Sequence, residues 1–328
     1  MRTTPIFSAI KALHISDESS IRFFGEIEAN KLAEEIRKRN VFARHSWENN
    51  FYVQRIRSLT NRTIIDIVLQ GDPDEIAFEA QKRSDLIEKI VALSSVVALD
   101  KIKLLKKLGV GIRPDAQIDF IFNKEMRFLK SRSKSRYSPK GLEIDEKFIK
   151  RFTRLGVSKL YRYCLKQNDI VRRLTRSIEW LYESRLELNL SSAIVKTAIA
   201  LETLLIFNEN ESLSRSLSER AAFIISNELN SRQKVSKIIK NFYVVRSGIV
   251  HGSKKKKKKE TPELLESVDR MVFLLLLTIC SNQNIWPATK NLNGWCENQR
   301  WGEPSMDVEY PFQKITLNRA INLSKLIT

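Results

Sequence analysis

From Asp145 to Ser281 the chain carries helical periodicity almost without interruption, and no other feature constrains its fold as tightly. Apolar residues recur at spacings of three and four through Asp145–Lys166, Asp169–Leu188, Ser192–Phe207, Leu213–Leu229, Arg232–Val250 and Thr261–Ser281. Helices of this length joined by short connections predict a packed bundle. Upstream, Ile27, Leu32 and Ile36 mark an amphipathic helix from about Gly25 to Arg39. Asp72 as N-cap and Pro73 at the first helical position open another, carrying Ile76, Leu86, Ile87, Ile90 and Leu93 toward Lys107, with a break expected near Ser94 and Ser95. After Pro114 the period changes to two, with Ile118, Phe120 and Phe122 alternating and Met126 and Phe128 on a return strand.

The stretch from Lys130 to Lys140 has the Ser, Lys, Arg, Pro and Gly content of a surface loop with a basic tip. Beyond Ser281, the Trp and Pro residues Trp286, Pro287, Trp295, Trp301, Pro304 and Pro311 follow no period, which predicts an extended segment packing on the body. The expected fold is mainly α: an N-terminal α-rich domain with a small β-element over 1–165, a helical domain over 166–285 and the extended segment over 286–328.

The chain holds 57 Lys and Arg against 38 Asp and Glu, a net charge of +19. Subtracting the six charges of the run Lys254, Lys255, Lys256, Lys257, Lys258 and Lys259 leaves +13, so the basic excess is global and favours polyanions, RNA first. Cys164, Cys280 and Cys296 lie far apart, which fits a reducing cytoplasm and no disulfide framework. The longest apolar stretch, Met271–Leu277 continuing to Cys280, is half a membrane span, so no membrane segment is expected. With His14, His45 and His251 as the only histidines and no HxxxH or CxxC spacing, neither a metal nor a cofactor is expected. Phosphate-cradling glycine loops and a GxSxG elbow are missing too.

At 100° per residue, Ile238, Ile239, Phe242, Val245 and Ile249 form one stripe of the helix Arg232–Val250, with Arg246 in its middle. The same projection places Arg220 with Leu213, Leu217 and Ile224, and Glu202 among Val195, Ala198 and Ile206. Three charges on three apolar faces need partners, and Glu202 is the natural counter-ion for Arg220 or Arg246. Periodicity leaves a structural ion pair and a catalytic group both open. His251, five positions after Arg246, points about 140° away on a continuing helix, toward Lys237 and Lys240. A break at Gly252, after Gly248 and the β-branched Ile249 and Val250, would free it to swing toward Arg246 or a second subunit; the alternative role is a simple dipole cap.

Arg246-Ser-Gly-Ile-Val-His251 resembles the Arg-x4-6-His motif of the HEPN superfamily. Ala200–Leu205, Ser218–Arg220 and Phe242–Gly252 are similar to its Apea-like branch, and the likeness spans about Ile170–Ser281. The resemblance implies a helical bundle that dimerises so that two Arg–His motifs face one cleft and cut RNA without metal. It gives Arg246 and His251 catalytic roles, with Glu202, Arg220 and Ser247 supporting them. Ser247 departs from the Asn, Asp or His often found there. The products would be a 2′,3′-cyclic phosphate and a 5′-hydroxyl, and the biological setting a toxin or antiviral, abortive-infection effector. Lys254–Lys259 would hold RNA at the cleft rim, and the N-terminal domain would sense a trigger or position RNA. The competing expectation is a non-catalytic RNA-binding or assembly module in which Arg246 and His251 are structural.

Overall fold

The computed structural model describes residues 13–24, 30–31, 34, 62–70, 72–98, 117–122, 128–134, 146–187, 189–208, 211–251, 262–301, 308–312 and 314–323. The chain divides into two compact units, one of Met1–Glu88 with Lys107–Ile149 and the other of Lys89–Lys106 with Lys150–Thr328. The fold is mainly α-helical.

In the first unit, β1 (Leu13–Ser16) and β2 (Ser19–Phe24) form a hairpin around Asp17 and Glu18, with a register shift between His14 and Ser16. β3 (Arg62–Ile67) pairs antiparallel with β2 from Ser19↔Ile67 to Phe24↔Arg62. This three-stranded sheet has no counterpart in the sequence expectation. The helix α1 (Pro73–Ala98) begins in this unit after Asp72, as its Asp-Pro start requires, and belongs to the second unit from Lys89 onward. It does not break at Ser94 and Ser95, because their buried hydroxyls donate back to the carbonyls of Val91 and Ala92 at 2.7 and 2.6 Å. β4 (Gln117–Phe122) and β5 (Phe128–Lys134) are the expected antiparallel pair. Lys130–Lys134 is therefore strand rather than loop, and 135–140 lie outside the described residues. So do most of the Gly25–Arg39 helix and all of Lys101–Lys107.

The second unit is the bundle, and its first helical stretch is two helices, not one. α2 (Glu146–Arg154) reaches it at Lys150 and stops at Gly156, whose φ of 69° is left-handed, a conformation glycine adopts without strain; α3 (Val157–Cys164) starts anew. Asn168 caps α4 (Asp169–Leu186) by accepting from Val171 N at 2.8 Å, and Asn189 caps α5 (Leu190–Leu205) by accepting from Ser192 N at 3.1 Å. α6 (Leu213–Ile225) and α7 (Leu229–His251) follow. α8 (Pro262–Ser281) is the central element: every residue from Leu264 to Cys280 is buried, and α3, α5, α6, α7 and a later helix, α10 (Lys314–Leu323), pack around it. A helix buried on every side belongs in an interior, and among the described residues no helix is long and apolar enough to cross a membrane.

The segment after Ser281 is not extended. It folds into α9 (Thr289–Trp301) and α10. The fully buried Trp286 meets Trp295 edge to face at 4.8 Å, and Asn282 clasps the chain by donating to Glu309 O and accepting from Glu309 N, both at 2.8 Å. Packing on the bundle thus decides a helix that its unpatterned sequence hides.

Candidate functional site

α5 and α7 pack side by side, so the last turns of α5 face the second half of α7. There Glu202 on α5 meets two residues of α7. Tyr243 donates its hydroxyl hydrogen bond to Glu202 Oε1 at 3.0 Å, with Ala198 O at 3.3 Å. Arg246 brings Nη2 to the same Oε1 at 3.3 Å. Tyr243 and Arg246 are three positions apart and hence neighbours on one helix face. Burial, with Glu202 beside it, pushes the Tyr243 hydroxyl well above its ordinary range, so it remains a donor.

The Arg246–Glu202 pair is neither buried nor saturated. The two side chains keep 21% and 22% of their exposure, one carboxylate oxygen faces one guanidinium nitrogen, and Nε of Arg246 is buried without a partner. A guanidinium has five donors, and Glu202 leaves most of the fork available.

Arg220 is elsewhere. It lies beyond the end of α5, where the last carbonyls of that helix need donors. Its Nη1 donates to Leu205 O at 2.8 Å and to Glu211, while Nη2 reaches Glu211 Oε1 at 3.1 Å and Asn293 Oδ1 at 2.9 Å. Arg173 donates to Thr203 O and Ile206 O at 2.9 and 2.7 Å, and both guanidiniums flank the Phe207 ring, at 4.5 Å for Arg220 and 5.5 Å for Arg173. Burial works against the Glu211 charge, but the hydrogen bond and charge of Arg220 outweigh it and hold this carboxyl below the usual range. Of the two partners open to Glu202, the structure selects Arg246.

α7 continues unbroken to His251, its last residue, so Arg246 and His251 of one chain diverge by about 140° around the helix. Ser247 and His251, at i and i+4, share the exposed face, while Arg246 is turned toward Glu202. The five residues singled out by sequence thus fall into three sets: Glu202 with Arg246, Ser247 with His251, and Arg220 alone. Gly252 and Lys254–Lys259 lie outside the described residues.

Sequence reasoning missed two groups. Tyr243 was legible, since a tyrosine three positions before a buried-face arginine needs a partner for its hydroxyl. The second group is on α8, where Asp269 accepts from Thr197 Oγ1 at 2.7 Å and faces Arg185 Nε at 3.1 Å, with Arg270 and Glu266 paired at 3.0 Å one turn apart. Burial pushes the Asp269 carboxyl up despite Arg185. Among the described residues no group of three or more His, Cys, Asp or Glu side chains is placed to hold a metal ion. Compared with known proteins, the chain matches no family model, no curated protein and no solved structure.

Proposed function

We propose that this chain is a metal-independent endoribonuclease of HEPN type that acts as a homodimer in the cytoplasm, as a toxin or antiviral effector. The observation that carries the reading is the state of Arg246: a guanidinium on an apolar helix face, held at one terminal nitrogen by Glu202, with a fifth of its side chain exposed. Such a group has free donors for the oxygens of a phosphate. Its divergence from His251 fits a site completed by a second copy, Arg246 from one chain and His251 from the other.

In that arrangement neutral His251 takes the proton of a 2′-hydroxyl as that oxygen attacks the adjacent phosphorus. Arg246 offsets the charge growing on the phosphorane oxygens, the leaving 5′-oxygen takes a proton from solvent water, and His251 returns its proton to solvent. The products are a 2′,3′-cyclic phosphate and a 5′-hydroxyl. Ser247, one turn before His251 on the exposed face, and Arg220, at the end of α5, support the site. The lysines Lys254–Lys259 follow His251 and add salt-sensitive affinity for RNA. The N-terminal unit would answer to a trigger or position RNA.

One observation favours a second reading, an RNA-binding or assembly module: on the unbroken α7 of one chain, Glu202 pairs with Arg246 while His251 faces away. Cleavage of end-labelled RNA in excess EDTA by wild type, Arg246→Ala and His251→Ala separates the two. The nuclease reading expects wild type alone to cleave, leaving cyclic phosphate ends. Equal activity in all three would remove both residues from the chemistry, and salt-sensitive binding without cleavage would favour the module.

A further inference from the structure

The 23 residues of α7 include five Lys and Arg and no Asp or Glu. At 100° per residue, Gln233, Lys237, Lys240, Val244, Ser247 and His251 fall within an arc of about 80°, and each of them is exposed. The stripe runs roughly 20 Å along the helix from Lys237 to His251.

Its two lysines make no ion pair with any described residue. The exposed Lys234 of the same helix makes none either, whereas two less exposed cations of the bundle are engaged: Lys196 bridges Glu183 at 3.2 Å and Glu187 at 2.6 Å, and Arg300 bridges Glu219 at 2.5 Å and Glu297 at 3.0 Å. Lys237 and Lys240, three positions apart, repel each other at a cost of a few tenths of a kcal/mol on an isolated helix. A surface that carries this cost with no carboxylate on its own helix is complementary to an anion from outside.

We infer that the Lys237–Lys240–Val244–Ser247–His251 stripe is a binding track for the phosphate backbone of a single RNA strand, along which the strand is led to His251. The choice of RNA among polyanions rests on the ribonuclease reading. Two other occupants fit less well. A second copy bound symmetrically through the same stripe would set lysines against lysines. A membrane surface would need bulky apolar side chains on this face, and Val244 is the single apolar one.

The test is fluorescence anisotropy of a labelled single-stranded RNA with the full chain over a salt series, comparing wild type, Lys237→Ala/Lys240→Ala and Lys237→Arg/Lys240→Arg. Without the two lysine charges to neutralise phosphates, the alanine variant should bind about tenfold more weakly at low salt, and the slope of log K against log salt should fall by about 1.4. The arginine variant should keep both, and thermal melting should be unchanged. Unchanged affinity and slope in the alanine variant would overturn the track, as would a wild type without salt-dependent RNA binding. Loss of binding to phosphatidylserine vesicles, or a shift in sedimentation, with RNA affinity retained would also overturn it. A wild type that binds with this dependence and never cleaves would sink the ribonuclease reading and leave the track standing. Cleavage with an unaltered KM in the alanine variant would do the reverse.

Discussion

Arg220 and Arg246 both stand on otherwise apolar helix faces, and the bundle treats them in opposite ways. Arg220 keeps 4% of its side-chain exposure and is bound by Glu211, the Leu205 carbonyl, Asn293 and the Phe207 face. Arg246 keeps 21% and meets one oxygen of Glu202 at 3.3 Å. A buried guanidinium with both terminal nitrogens engaged is part of the fold; one held at a single terminal nitrogen beside solvent retains capacity for a ligand. The difference assigns structural work to the first and leaves the second for chemistry.

The largest effect should follow from breaking the more fully engaged member. Arg220→Ala leaves Glu211 without its charge partner and uncaps the end of α5, so urea unfolding should show a loss of about 3–5 kcal/mol. Arg246→Ala should lose about 1 kcal/mol or less, since its pair is partly solvated. Equal losses would erase the contrast.

Asp269, a buried carboxylate that faces the half-buried Arg185, sharpens the contrast. Burial raises its folded-state pKa even though Arg185 and Thr197 oppose the shift. A raised value contributes stability that is full below the unfolded pKa and lost as pH rises through the folded one. Asp269→Asn should therefore gain on wild type as pH climbs from about 3.8, by up to about 1.4 kcal/mol per pH unit inside that window. Parallel stability curves for the two proteins would contradict this.

A smaller change should come from Tyr243→Phe, which removes one hydrogen bond to Glu202 at a cost of about 1 kcal/mol. If Tyr243 steadies Arg246 through that carboxylate, RNA turnover should drop about tenfold with KM little moved, whereas a purely structural tyrosine would leave kcat intact. His251→Ala should be mildest for the fold, about 0.3–1 kcal/mol, because the residue is exposed at a helix C-terminus. A larger loss in unfolding experiments would mark His251 as structural.

Local pattern carried the bundle well. Helices with clean periodicity, such as Asp169–Leu186 and Pro262–Ser281, are found close to where spacing predicts them. Misplaced elements had a local signal opposed by something nonlocal or small. Gly156 cuts one predicted helix into two through a single left-handed residue. Ser94 and Ser95 looked like a break and instead bond to their own helix. α9 and α10 have weak propensity and take shape against α6, α7 and α8. The hairpin at Asp17-Glu18 lacks the Asn-Gly or Gly signal that would announce it.

At the candidate site the sequence supplied charges on apolar faces but not the pairing. Glu202 had two possible arginines; the orphan carbonyls of Thr203, Leu205 and Ile206 and the carboxylate of Glu211 resolve the choice by engaging Arg173 and Arg220. Glu211 is in the connection between α5 and α6, where no periodicity exists to reveal it.

The proposed function turns on a site shared between two chains, and complementation tests that directly. Arg246→Ala and His251→Ala chains, co-expressed with different tags and purified as the mixed dimer, would be assayed for RNA cleavage in EDTA beside each variant alone. A shared site leaves the mixed dimer with one of its two arginine–histidine pairs intact, so about half of wild-type activity should return from two inactive parents. An inactive mixed dimer beside an active wild type would contradict the account and return both residues to a site within one chain.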